Sequence, residues 1–205
     1  FNLVVIKFAI TEVSPLTFGF LRFLFSAFPL IFFVPFPKIK FTKLLQLGIV
    51  MGVLNFAFLF KGMKEGISVG LTSLTLQTQV VFTAIIGALI FKDRVLKREI
   101  TGIVIALLGV ALIAWQHSNG SSSLRGFIYV LLSALAWGAG NNISRTLKNV
   151  NILHLTVWMS LVPLIPYFLL SLIWEGNGVF YSSIQNIGVN TILCTFYIVV
   201  IATLF

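Results

Sequence analysis

The chain has 205 residues, 59% of them hydrophobic and only 9% charged, and its net charge is +9. That charge content is about a third of what an ordinary soluble domain carries, which excludes a conventional soluble fold. A single cysteine, Cys194, excludes an internal disulfide framework, and no Cys/His cluster points to a metal site.

The apolar residues come in blocks of roughly 17–25, the length that crosses a bilayer as a helix. An isolated strand in lipid leaves its backbone unsatisfied, so an all-α, multi-spanning helical bundle is expected. Eight segments are predicted in chain order. The first, 1–11, reaches only half a span. The second, 16–35, holds Arg22 and Pro29. The third, 43–61, carries Asn55 together with Gly48 and Gly52, whose spacing predicts close helix packing, as does that of Gly66 and Gly70. The fourth, 67–91, has no charge but carries Gln77 and Gln79 near its middle. The fifth, 100–115, is the shortest complete segment and has either to borrow a few flanking residues or to sit in thinned bilayer. The sixth, 125–147, contains Trp137, Asn141 and Asn142. The seventh, 153–174, contains Pro163 and Pro166. The eighth, 188–205, stops without a flanking charge, so truncation is expected at both ends. Prolines predict bends in segments two and seven.

The connections set an orientation. Lys38, Lys40, Lys43, Lys92, Arg94, Lys97, Arg98, Arg145 and Lys148 follow segments two, four and six, whereas Lys61, Lys64 and Arg125 follow the others. Basic residues favour the cytoplasmic side, which places the N-terminus there. The positive charge is thereby an orientation signal, and no nucleic-acid partner is expected.

Residues 1–33 and 140–170 share a pattern. Asn2 and Lys7 match Asn141 and Arg145 within one residue of spacing, and Pro29 and Pro166 fall at nearly the same offset. Segments one and six are five apart, so the second copy enters from the opposite face. This is the mark of an inverted-topology repeat, a common plan of secondary transporters. Two five-helix repeats are predicted, 1–115 and an incomplete 125–205, joined by a linker at 116–124 that contains "QHSNGSSSL".

Several stretches resemble the EamA family of the drug/metabolite transporter superfamily. They are Asn2-x4-Lys7, "RF" at 22–23, "FKDR" at 91–94, "GIVIALLGVALI" at 102–113 and "AWGAGN" at 136–141. "LTSLTLQTQVVFTAIIG" and "LVPLIPYFLLSLIWEG" are similar to the O-acetylserine/cysteine exporter branch, in which Gln-x-Gln replaces a proline found in many members. Asp93 stands where most members carry Glu, and the Trp-Gly expected before Phe1 is absent, as are the last two helices. The resemblance implies ten helices in the full protein, a bacterial inner-membrane location, a fourth helix bordering a central cavity, and outward movement of a cysteine- or O-acetylserine-like metabolite.

The buried amides are the chemical candidates. At 100° per residue Thr72, Thr75, Gln79 and Thr83 form one stripe, whereas Gln77 falls on another face with Ser73 and Gly70. Such a stripe either holds helices together or lines a wet cavity. Amides both donate and accept, which suits a zwitterionic amino acid. The candidate substrate-binding residues are Gln77, Gln79, Thr75, Asn55, Trp137, Asn141, Arg22 and Lys7. Interhelical bonding is an equal reading for the asparagines, and packing for Trp137. Lys7 and Arg22 are expected at one depth near the outer end, either snorkelling to the interface or attracting anionic groups.

All five acids, Glu12, Glu65, Asp93, Glu99 and Glu175, lie at segment ends or in loops, so no mid-membrane proton relay is seen. No P-loop, hydrolase elbow or metal motif appears, and neither enzyme chemistry nor a cofactor is expected. The expectation is a secondary transporter working by alternating access, as a monomer or homodimer in the bilayer with a small metabolite as substrate. The alternative is a non-transporting membrane scaffold or regulatory subunit.

Overall fold

The computed structural model describes residues 2–94, 96–117 and 121–201, and within them the chain is all-helical. Segment one is α1 (Asn2–Glu12), and a tight turn leads into α2 (Pro15–Ala27). Ser14 caps α2 by accepting from the Thr17 N–H, and Pro15 occupies the first turn, where no N–H is needed. Pro29 stops α2, and a short 3-10 turn at Leu30–Phe32 completes the segment. Segment three is a continuous helical run of α3 (Phe41–Leu47), a π-helical stretch at Gly48–Leu54, and α4 (Asn55–Lys64).

Segment four is broken in its middle, with α5 (Val69–Leu76) and α6 (Gln79–Phe91) separated at Gln77-Thr78. Segment five is α7 (Lys97–His117), which borrows flanking residues, and segment six is α8 (Ser121–Arg145). Helix therefore takes all of the predicted 116–124 linker except 118–120, which lie outside the described residues. Segment seven is α9 (Ile152–Met159) and α10 (Leu164–Leu170), interrupted before Pro163 as its prolines predict, with a π-helical end at Ser171–Glu175. Segment eight contains α12 (Val189–Val199). The predicted loop between segments seven and eight instead folds as α11 (Asn177–Gln185), with Phe180 buried against Phe20 and Phe168.

Five helical stretches, Pro15–Phe32, Phe41–Lys64, Val69–Phe91, Leu124–Arg145 and Ile152–Glu175, are long and apolar enough to cross a membrane. Exposed side chains such as Phe32, Phe33, Leu89 and Ile90 would be a liability in water and suit a hydrocarbon surround.

α8 is the centre of the packing. It lies against α4, α5, α6 and the π-helical stretch of segment three. Phe60 and Met63 of α4 meet Phe127 and Val130 of α8 in the main core. A Cβ on Gly138 of α8 would stand 2.9 Å from the Thr83 backbone nitrogen, so glycine is what lets α8 approach α6. Gly48 and Gly52 receive Val162 and Pro163 at the break in segment seven, the close packing their spacing predicts. Gly66 and Gly70 do not behave that way, since nothing lies within 4 Å of a Cβ on either. Gly66 serves the turn into α5 at φ +91, a conformation that favours glycine, and Gly70 faces open space.

Candidate functional site

The predicted stripe on segment four faces inward. Thr72 and Thr75 are buried and Gln79 and Thr83 half-buried, whereas Gly70, Ser73 and Gln77 are exposed. Gln77 belongs to the break. There the backbone bonds tighten, with Thr78 N–H donating to the Thr75 carbonyl and Val80 N–H to the Gln77 carbonyl, each at 3.1 Å. The Thr78 hydroxyl donates to the same Thr75 carbonyl at 2.6 Å, a side-chain competitor for the α-helical ladder. Tight turns inside a helix often mark a hinge.

The stripe runs beside α8. The Thr83 hydroxyl donates to the Gln79 carbonyl at 2.7 Å and accepts from Asn141 Nδ2 at 3.2 Å. Asn142 Nδ2 donates to the carbonyls of Thr83 and Gly138, at 3.0 and 2.9 Å. On the same face of α8, one and two turns before Asn141, stand Trp137 and Ser133. The Ser133 hydroxyl donates to Asn55 Oδ1 at 2.6 Å, and Asn55 Nδ2 reaches the Met51 carbonyl at 3.4 Å. Segments four and six run in the same direction, so their depths can be matched at 1.5 Å per residue. With Thr83 level with Asn141, Gln79 falls level with Trp137, and Thr75 with Ser133 and Asn55.

Two atoms in this group lack what the others have. Thr75 Oγ1 and Gln79 Oε1 are buried with no hydrogen-bond partner. Buried polar atoms are nearly always paired, because leaving one unpaired costs about 1–3 kcal/mol. A third such atom is Asn2 Oδ1 on α1. Lys7, five residues further along α1, donates to the Met63 carbonyl at 2.7 Å and ties α1 to the end of α4. Asn2 and Ser133 were not among the candidates. Asn2 was visible as the repeat partner of Asn141, while Ser133 had no signal beyond being a hydroxyl in an apolar helix.

Helix packing and periodicity set Thr75, Gln79, Asn55, Trp137 and Asn141 on three adjoining segments, with Asn141 bonded to Thr83 and Asn55 to Ser133. The structure separates the remaining candidates from them. Gln77 is exposed in the break. Arg22 approaches segment three from another side, its guanidinium 3.9 Å from the Phe56 ring centroid and 5.5 Å from that of Phe23. Phe56 lies about 100° around α4 from Asn55. The expected common depth of Lys7 and Arg22 is corrected. Lys7 reaches Met63, whereas Arg22 lies on Phe56, about 10 Å deeper along the same helix. Arg22 is buried and does not snorkel, because aromatic faces hold its cation within the bundle.

Charged contacts mark the ends of the bundle. At one end Arg145 is hydrogen-bonded and ion-paired to Asp93 and lies over the Phe91 ring at 5.1 Å. The Arg145 hydrogen bond holds the Asp93 carboxyl below its ordinary range. At the other end Glu12 accepts from Asn190 Nδ2 at 2.8 Å and the Thr191 hydroxyl at 2.7 Å, and these bonds lower its pKa.

The helical architecture, with five stretches long and apolar enough to cross a bilayer, defines a multi-pass membrane protein. The EamA-like transporter family model matches residues 1–115, and the chain belongs to that family. It is 37% identical over 208 residues to a probable amino-acid metabolite efflux pump of Salmonella typhimurium, covering 99% of this chain and 70% of the relative. The Escherichia coli protein of the same description is 36% identical over the same shares. The uncharacterized transporter YoaV of Bacillus subtilis is 27% identical over 183 residues, covering 84% of this chain and 62% of the relative. No solved structure matches.

Proposed function

We propose that the protein is a secondary transporter that exports small amino-acid-like metabolites of the cysteine and O-acetylserine type across the bacterial inner membrane, with its N-terminus cytoplasmic. The observation that carries this reading is the pair of unpartnered buried oxygens, Thr75 Oγ1 and Gln79 Oε1, at a helix break in the depth of the membrane. Discontinuous helices whose freed polar groups face a cavity are a recurring design of transporter sites. Gln79 and Thr75 accept from the cargo's ammonium, Asn55 and Asn141 supply amides beside them, and Trp137 forms the wall between. The names of the enterobacterial relatives support an amino-acid metabolite as cargo.

Alternating access follows from two inverted repeats, 1–115 and 125–205. The packing supports that symmetry. Exchanging each segment for the one five away turns the contact of segments three and six into that of eight and one, and both exist, as α4 on α8 and α1 on α12. The contact of segments two and eight becomes that of seven and three, present as α2 on α12 and α9 on α3. Segments two and seven, in contact as α2 and α10, map onto each other.

The test is export from cells carrying the complete reading frame, with cysteine and O-acetylserine measured in the medium against an empty vector. Export should rise and should fall at least tenfold in a Thr75→Val/Gln79→Ala protein that still reaches the membrane. Equal export by that variant would remove the stripe from the pathway, and no export by the wild type would point to another cargo or to a scaffold.

A further inference from the structure

Away from the stripe, a cavity of ≈ 200 Å³ opens at the end of the bundle where α4 finishes and α2 begins, the end assigned above to the outer face. Its lining includes two cations, Lys61 and Lys64, two carboxylates, Glu65 and Glu175, the Trp174 ring, and the apolar Leu16 and Ala57. The volume is below the ~300–1,000 Å³ of sites for drug-sized molecules, so the occupant has to be compact.

Both kinds of charge are fixed there, and neither neutralises the other. The Lys61 ammonium lies 5.0 Å from the Tyr129 ring centroid and 4.9 Å from that of Trp174. Two aromatic faces attract a cation and hold its position without cancelling its charge. Glu175 is held by neutral donors: its Oε1 accepts from the Leu16 N–H at 3.4 Å and its Oε2 from the Ser171 hydroxyl at 3.0 Å. The ion pair among the described residues is Arg145–Asp93, at the other end of the bundle. The cavity thus offers a cation and an anion, each held apart from the other by its own partners, above an apolar floor.

We infer that this cavity is a subsite for the ammonium and carboxylate groups of a free amino acid, with Lys61 taking the carboxylate and Glu175 the ammonium. The side chain rests against Leu16 and Ala57. The inference rests on the exporter reading, for which it provides an exit station distinct from the stripe. A phosphatidylethanolamine headgroup, also a zwitterion, is the other source of the same chemistry, and the test separates the two.

The test measures equilibrium binding to the detergent-purified full-length protein in a Gln79→Ala background, where the stripe is disabled. The probes are S-methylcysteine, its N-acetyl derivative and its methyl ester. The parent should bind the free amino acid at least tenfold tighter than either blocked form. Glu175→Gln should make the free and N-acetyl forms equal, and Lys61→Gln the free and ester forms. Lys61→Arg should keep the preference, which guards against simple misfolding. The proposal is overturned if the parent shows no preference for the zwitterion, or if each substitution weakens all three probes alike. It also falls if short-chain phosphatidylethanolamine binds more tightly than the amino acid and obeys the same two substitutions. The two readings fail separately: full export by Gln79→Ala would sink the stripe, while an intact probe pattern would still support the subsite.

Discussion

Segments four and six both carry amides into the depth of the membrane, and they use them differently. Segment six is one unbroken helix, α8, whose Asn141 and Asn142 donate to Thr83 and Gly138 and whose Ser133 donates to Asn55. Segment four is broken at Gln77-Thr78, and beside the break Thr75 Oγ1 and Gln79 Oε1 have no partner. Polar groups bonded across an interface help hold helices together. Polarity left buried and unbonded is an expense a fold keeps only where something else uses it. Segment six bonds its amides to its neighbours, whereas segment four keeps two oxygens unbonded, which the exporter reading assigns to cargo.

The largest effect that sharpens this contrast is on transport. Gln79→Ala should cut export at least tenfold and leave the melting temperature unchanged or higher, because it removes an unsatisfied acceptor. Gln77→Ala, at an exposed site, should retain most export. Next is Gly138→Ala. A Cβ there meets α6 backbone, which cannot rotate away, so stability should fall by about 1–3 kcal/mol in thermal unfolding. Gly70→Ala, with nothing in reach, should be neutral or slightly stabilising.

A smaller loss is expected from Asn142→Leu, about 1–2 kcal/mol, with export falling only as the folded amount falls. The smallest effect belongs to the exposed Arg145–Asp93 pair. The Asp93 pKa is lowered from 3.8 by its bond to Arg145, so the pair's contribution is present above that value and is lost as pH falls through the folded value beneath it. Asp93→Asn should abolish this pH dependence, read as melting temperature across pH 2–6, roughly the span over which a carboxylate titrates.

Much of this arrangement was legible in the residues. A 100° step put Thr72, Thr75, Gln79 and Thr83 on one face and Gln77 on another, because helix periodicity needs no tertiary information, but which face points inward was not legible. Pro163 marked the interruption of segment seven for the same local reason. The break at Gln77-Thr78 was not legible. It has no proline or glycine and depends on a threonine hydroxyl competing for a carbonyl. The π-helical stretch at Gly48–Leu54 has no sequence signature either. It is met by Tyr167, whose hydroxyl donates to the Gly52 and Val53 carbonyls from segment seven. Arg22 on Phe56 and Ser133 on Asn55 are pairings between distant parts of the chain, and side-chain type alone does not choose the partner. The depth of Lys7 and Arg22 was misjudged because residue counting fixes height only within one helix.

The central claim is that the unbonded oxygens of segment four face cargo, and thiol labelling tests it most directly. In a Cys194→Ser background of the full-length protein, cysteine is placed at residue 79 and, for contrast, at residue 142. A small water-soluble maleimide should label Gln79→Cys, cysteine's analogue S-methylcysteine should slow that labelling, and Asn142→Cys should stay unlabelled in the folded protein. Equal labelling at both sites, or labelling at 79 that no amino acid slows, would contradict the account.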